Sequence, residues 1–130
     1  MRRAGSDAED RAADYLLSLG YSLITRRYKA TRGELDIVAL DGEELVFVEV
    51  KARCSGAIPE EFVGNLKIER LGLAANHFRR TMDMWDRPYR FDVVAIQGSE
   101  LRHHQNALDQ ISIDDEVEID VLRFNCAVHQ

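Results

Sequence analysis

Cysteine, proline and long apolar runs are all scarce in this chain of 130 residues, and each shortage argues against a class of protein. The two cysteines, Cys54 and Cys126, have neither a metal-binding nor a redox spacing, so a reduced cytoplasmic setting is expected. No apolar run approaches the length of a membrane span. Residues 1–7 lead into a polar helical pattern without the apolar core of a signal peptide. The sequence therefore predicts a cytoplasmic protein with no membrane partner.

What the chain does contain is typical of one globular domain. Hydrophobic residues make up 45% of it and charged residues 31%. The net charge of −6 at first argues against a nucleic-acid partner. The acids are unevenly spread, however: residues 109–130 hold six of the 23 acids and one of the 17 lysines and arginines. We therefore treat residues 109–130 as an acidic and apolar C-terminal extension.

Hydrophobic periodicity and turn residues predict an α/β sandwich around a mixed sheet. The predicted elements are a helix over 6–19, a strand over 21–28, a hairpin over 33–51, a helix over about 65–82, a strand over 90–96 and a short strand over 101–104. In the second helix one stripe is predicted to face the core: Ile68, Leu71, Ala75, Phe78 and Met82.

The candidate site residues lie in the predicted hairpin. Its strands flank a turn at Asp41-Gly42, and an even loop would put even positions of the first strand on the same face as odd positions of the second. One face would then carry Glu34, Asp36, Val38, Leu40, Leu45, Phe47, Glu49 and Lys51, and the other the apolar Leu35, Ile37, Ala39, Val46, Val48 and Val50. An odd loop would separate Asp36 from Glu49. We expect both faces to be covered, the first of them by a helix.

Two acids and a lysine at one end of a covered face suit a metal site. Divalent cations such as Mg²⁺ take carboxylate and carbonyl oxygens, and a lysine can orient a water or stabilise charge on a phosphate oxygen. Buried structural ion pairs leave the same pattern, so the residues alone leave both interpretations open. A permanent salt bridge filling the pocket would exclude the metal.

Basic residues border this stretch. The run from Arg26 to Arg32 includes a tyrosine and leads directly into Glu34, and it is expected to contact phosphates. For the scattered arginines elsewhere, solvated surface is the better interpretation. Glu9 lies in the first turn of the first helix, where the residues alone favour a plain helix-terminal acid. His103 and His104 are strand neighbours that point to opposite faces, which favours a structural or surface role over joint chelation.

The motifs resemble a known family. The chain is similar to the YraN-like family of uncharacterised bacterial proteins, which resemble archaeal Holliday-junction resolvases and share the restriction-endonuclease-like PD-(D/E)xK fold. The resemblance covers residues 3–108 and rests on these motifs: Gly5-Ser6-Asp7-Ala8-Glu9, Leu19-Gly20-Tyr21, Gly33-Glu34-Leu35-Asp36-Ile37-Val38, Leu45 to Arg53, Lys67, Arg90-Phe91-Asp92-Val93-Val94, His103 and Asn106-Ala107. Leu35 replaces the proline of the fold's signature, and residues 109–130 have no counterpart.

The resemblance implies an α-β-β-β-α-β core and a set of site residues. Asp36 and Glu49 would hold Mg²⁺ or Mn²⁺, with the carbonyl of Val50 as a further ligand. Lys51 would orient the attacking water or balance charge on the phosphate, and Glu9 would lie over the metal site. Motif positions without an assigned role are Glu34, Asp92 and His103, the last two being structural by expectation.

The implied function is a metal-dependent endonuclease that cleaves DNA, including branched or repair intermediates. The residues expected to contact the nucleic acid are Arg27, Lys29, Arg32, Arg53 and Lys67. Related resolvases pair as homodimers, although no self-complementary patch is visible in this sequence. The alternative is a non-catalytic nucleic-acid-binding or scaffold protein with the same fold.

Overall fold

A computed structural model of the protein describes residues 4–52 and 65–107. The elements are α1 (Ala4–Ser18), β1 (Ser22–Lys29), β2 (Glu34–Asp41), β3 (Glu44–Ala52), α2 (Asn65–Thr81), β4 (Tyr89–Gln97) and β5 (Glu100–His104). This order contains the predicted α-β-β-β-α-β core. Residues 109–130 and Arg53 lie outside the described residues, so the division at residue 108 stays a prediction. Neither described helix combines the length and apolar composition that a membrane crossing requires.

The five strands form one mixed sheet in the order β1-β2-β3-β4-β5. The first three strands are antiparallel neighbours, β3 and β4 are parallel and are linked through α2, and β5 returns antiparallel to β4. The β2–β3 turn consists of Gly42 and Glu43, with Gly42 at a φ of 65° and Asp41 paired with Glu44. The loop is therefore even, and the predicted parity of the hairpin is confirmed.

Helices cover both faces of the sheet, as predicted. Leu16 and its neighbours in α1 pack on the face that includes Ile37, Val46 and Val94. Helix α2 packs on the other face, and its buried contacts there are Val38, Leu45, Phe47 and Val93. Burying a large aliphatic or aromatic side chain contributes about 1.5–3 kcal/mol, so these two clusters supply most of the stabilisation. The strand ends that carry Asp36 and Glu49 are thus held between two helices.

Two core assignments were wrong. Met82 is 45% exposed, because α2 ends at Thr81 and residue 82 no longer follows the helical stripe. Leu35 packs with the α2 cluster, whereas Ile37 and Ala39 pack with the α1 cluster. Residues two apart in a regular strand share a face, so β2 departs from regular alternation between Leu35 and Ile37.

Gly33, in the turn between β1 and β2, approaches the backbone of α2 closely. A β-carbon at this position would overlap the carbonyl oxygen of Arg70 and lie 3.3 Å from Cβ of Ala74. The backbone N–H of Ala30 donates a hydrogen bond of 2.8 Å to the carbonyl of Gly33, which closes the same turn. A residue without a side chain therefore lets this turn rest on α2.

We predict that Gly33→Ala lowers the free energy of unfolding by about 1–3 kcal/mol, because the methyl group overpacks the turn against α2. Urea denaturation measures this, and hydrogen exchange should show faster exchange of the α2 amides near Arg70. Gly98→Ala is the control: its φ of 59° strains an alanine, but nothing lies within 4 Å of the new carbon. Unchanged α2 exchange in Gly33→Ala would contradict the close approach.

Candidate metal and nucleic-acid site

The Asp36 carboxylate lies where β2 separates from β3. The pairing of the two strands ends at Ile37 and Val48, so Asp36 is the next residue beyond the last pair. Its Oδ2 accepts a hydrogen bond of 2.7 Å from the backbone N–H of Val50. Because a strand residue directs its N–H and C=O to the same neighbour, the Val50 carbonyl also faces this edge. The irregularity of β2 thus turns Asp36 onto the end of β3.

Glu49, on β3, is the second acid at this position, and it already has a cationic partner. Its Oε2 lies 2.6 Å from Nζ of Lys67, in the first turn of α2. The Glu49 side chain is 9% exposed and that of Lys67 is 44% exposed. The acid is therefore enclosed, and the lysine reaches it from the solvent side.

Burial and neighbouring charges perturb the pKa of Asp36. Burial, and then the charge of Glu49, raise the pKa of Asp36 from 3.8 to about 7, and Glu9 adds to the rise. The Val50 hydrogen bond and the charge of Lys67 lower the pKa of Asp36, but by less. For Lys67, burial lowers the pKa, but Glu49, Asp36 and Glu34 together outweigh it, so the pKa is raised above 10.5. Negative charge is thus in excess here, the condition that a bound cation relieves.

The donor set fits a hard divalent cation. Asp36 and Glu49 offer carboxylate oxygens and Val50 a carbonyl oxygen, the ligands that Mg²⁺ and Mn²⁺ accept. Among residues 4–52 and 65–107, no group of three or more His, Cys, Asp or Glu side chains could hold a metal ion. Further ligands would have to come from the backbone, from water or from a substrate phosphate. Mg²⁺ commonly keeps several waters and binds through only one or two carboxylates.

Glu9 approaches the site from α1, but its carboxylate forms ion pairs with two arginines. Its Oε1 lies 3.0 Å from Nε of Arg27 and 3.3 Å from a terminal nitrogen of Arg26, both on β1. Glu9 is buried, and it still acts on Asp36 through its charge. Arg27, predicted to contact DNA, therefore has a carboxylate partner within the domain. A role for Glu9 over the metal stays a prediction.

Lys51 is half-buried on β3, two residues beyond Glu49. Strand alternation directs it to the same side as Glu49. Ala95 of β4 is its neighbour in the parallel pair. The position is the one that the family resemblance gives to the lysine beside the metal.

A cleft of about 810 Å³ opens at Lys67, the partner of Glu49, and we call it the basic cleft. Three of the predicted nucleic-acid residues line it, namely Lys29, Arg32 and Lys67. The other charged residues of its wall are Glu34, Glu69 and Arg70. The cleft lies between the β1–β2 turn and the first half of α2, and it therefore depends on the close approach of Gly33.

Arg70 was missing from the predicted contacts. Its signal was its position three residues after Lys67, since residues three apart share a helix face. The pairing of Lys67 with Glu49 had no sequence signal, because it depends on how α2 docks on β3.

Asp92 and His103 belong to a separate buried network, as expected for structural residues. Both Asp92 oxygens are engaged: Oδ1 lies 3.0 Å from Nε of Arg90, and Oδ2 lies 2.7 Å from Nε2 of His103. The backbone N–H of Asn106 also donates to Oδ1, and Nδ1 of His103 shares a hydrogen bond of 3.0 Å with the Tyr15 hydroxyl. This network ties β4 and β5 to α1.

We predict that Asp36→Asn stabilises the metal-free protein. The folded-state pKa of Asp36 is raised, so ionising it costs stability as pH rises from 3.8 to about 7, and the cost is complete above pH 7. Asparagine avoids this cost and still accepts the Val50 hydrogen bond. At pH 8 in EDTA, denaturation should show a gain of about 2–4 kcal/mol, which shrinks below pH 7 and disappears near pH 4.

We predict that Asp92→Asn, in contrast to Asp36→Asn, lowers the free energy of unfolding. Burial raises the pKa of Asp92, but hydrogen bonds from His103, Arg90 and Asn106 outweigh it, so the pKa lies below 3.8. Its stabilisation is therefore present at neutral pH and is lost as pH falls below about 4. At pH 7, denaturation should show a loss of about 3 kcal/mol or more. A neutral effect would mean that the network is not maintained by charge.

Comparison with known proteins identifies the family of this chain. The chain matches Uncharacterised protein family UPF0102 over residues 8–96. It is 44% identical over 100 residues to a UPF0102 protein of Pseudomonas entomophila, covering 73% of this chain and 80% of that protein. It is 36% identical over 105 residues to a UPF0102 protein of Sulfurihydrogenibium sp., covering 79% of this chain and 91% of that protein. The resemblance to the YraN-like proteins is thus confirmed, and the chain belongs to the UPF0102 family.

Proposed function

We propose that the protein is a divalent-metal-dependent endonuclease that hydrolyses DNA phosphodiester bonds. One observation carries the proposal: Lys67 lines the basic cleft and pairs with Glu49, whose charge, after burial, raises the pKa of the neighbouring Asp36. A carboxyl group whose pKa is raised by burial and by a neighbouring acid is typical of functional positions. The adjacent cations suit a polyanionic substrate.

Asp36 and Glu49 would hold Mg²⁺ or Mn²⁺, with the Val50 carbonyl beside them. When bound, the ion supplies Lewis acidity and lowers the pKa of a water molecule. The chain's own residues do the rest. Lys29 and Arg32 hold the phosphate backbone in the basic cleft, and Lys51 orients the attacking water or balances charge on the phosphate.

We expect Asp36→Ala and Glu49→Ala each to lower Mg²⁺- or Mn²⁺-dependent DNA cleavage by about a hundredfold or more. Duplex, nicked and branched DNA should be compared, since a preference would identify the substrate structure. Glu43→Gln is the matched control, because Glu43 is an exposed acid in the turn at the opposite end of the same two strands. If the wild type cuts these substrates no better than Asp36→Ala, the enzyme proposal is lost.

The second candidate is a non-catalytic nucleic-acid-binding protein with the same fold. It is favoured by the ion pair of Glu49 with Lys67, which neutralises one of the two acids without any metal. Such a protein would bind DNA in a salt-dependent manner through the basic cleft, with no turnover in any divalent ion. It would also tolerate Asp36→Asn without loss of DNA affinity.

A further inference from the structure

Lys67 is the residue that the acidic site and the basic cleft have in common. Its Nζ lies 2.6 Å from Glu49, and the charges of Asp36 and Glu34 also raise its pKa. The same side chain lines the cleft with Lys29 and Arg32. One cation is thus within reach of two kinds of anion, the internal carboxylates and a phosphate in the cleft.

Lys67 can leave Glu49 and bind another anion. Lys67 is 44% exposed and extends from the first turn of α2, so its ammonium group can turn from Glu49 to the solvent without unfolding anything. Lysine is a flexible, strongly hydrated point charge, and here it is the exposed partner of an enclosed carboxylate. Arg90, 7% exposed and paired with Asp92, shows the contrasting permanent arrangement.

A divalent cation and the Lys67 ammonium group would occupy adjacent positions on Glu49. Two positive groups within a few ångströms repel each other strongly in a partly dehydrated site. Binding of the ion therefore has to displace Lys67, and the nearest place for the displaced ammonium group is the basic cleft. There it meets the phosphate that the cleft would hold.

We propose that Lys67 is an exchangeable counter-ion, which neutralises Glu49 in the metal-free protein and transfers to the substrate phosphate when a divalent cation binds. The inference rests on the metal site proposed above. Lys67 would then couple the two ligands: the cation frees a positive charge for DNA, and DNA draws a competing charge away from the cation. By linkage, each ligand would raise the affinity for the other.

The first test is a Mn²⁺ titration of the DNA-free protein, followed by calorimetry or by the EPR signal of free Mn²⁺. Lys67→Met removes the competitor and should tighten Mn²⁺ binding about tenfold or more. Lys67→Arg keeps the charge and should stay near the wild-type affinity. Arg70→Met is the matched control, since Arg70 lines the same cleft one turn along α2 without being the partner of Glu49, and it should change Mn²⁺ affinity little.

The second test compares DNA affinity in EDTA and in Ca²⁺ at equal ionic strength. Ca²⁺ takes the same oxygen ligands. Lys67→Met should weaken binding several-fold more in Ca²⁺ than in EDTA, and reduce the salt slope by about one in Ca²⁺ only, because Glu49 engages the lysine in EDTA. Arg70→Met should weaken binding equally in both conditions.

The outcomes separate the two proposals. Suppose that Mn²⁺ binds the wild type, that Asp36→Ala abolishes this binding, and that Lys67→Met binds Mn²⁺ no more tightly than the wild type does. The exchange is then wrong and the metal site stands. If Lys67→Met weakens DNA binding equally in EDTA and Ca²⁺, the lysine is an ordinary phosphate contact and the exchange is again wrong. If the wild type binds no Mn²⁺ at Asp36, the metal site fails and the exchange fails with it. Thermal denaturation verifies that each variant is folded.

Discussion

The burial of Asp36 beside Glu49 is the constraint on which the candidate site depends. Two carboxylates from neighbouring strands meet where helices exclude most of the water, and the pKa of Asp36 rises to about 7 as a result. The fold offsets this cost with a backbone hydrogen bond from Val50 and the charge of Lys67. A chain selected for stability alone would have an amide or an apolar residue here. Such local destabilisation is characteristic of sites that serve a ligand.

The architecture around the acids explains how they are held. Helix α1 on one face and α2 on the other fix the ends of β2 and β3, and the irregularity of β2 turns Asp36 toward Val50. Gly33 lets the β1–β2 turn rest on α2, and this contact forms a wall of the basic cleft. The acids and the cleft are thus consequences of the same packing, so a change in the α2 docking alters both.

The sequence predicted the elements and the hairpin parity well, because alternation and an even turn are local properties. It failed at Leu35, which packs with the α2 cluster although Ile37 and Ala39 pack with the α1 cluster; a rule of regular alternation cannot reveal such a departure. Residues alone favoured a plain helix acid at Glu9, and only the family resemblance brought it toward the metal site. The ion pairs of Glu9 with Arg27 and of Glu49 with Lys67 join distant segments, and no spacing rule reveals such contacts. The residues therefore predicted which acids meet, but not which cations accompany them.

For nucleic-acid binding, the arrangement of charges around the cleft matters more than the net charge of −6. A phosphate in the basic cleft would be attracted by Lys29 and Arg32 and repelled by the acids behind them. Neutralising those acids is therefore a condition for bringing a phosphodiester close to Asp36, whether Lys67 or a metal ion does it. With Lys67 on Glu49, one of the two acids is neutralised and the cleft has one cation fewer for DNA. With a divalent ion in its place, both the neutralised acids and the released lysine would favour the substrate, and the exposure of Lys67 is what would permit that exchange.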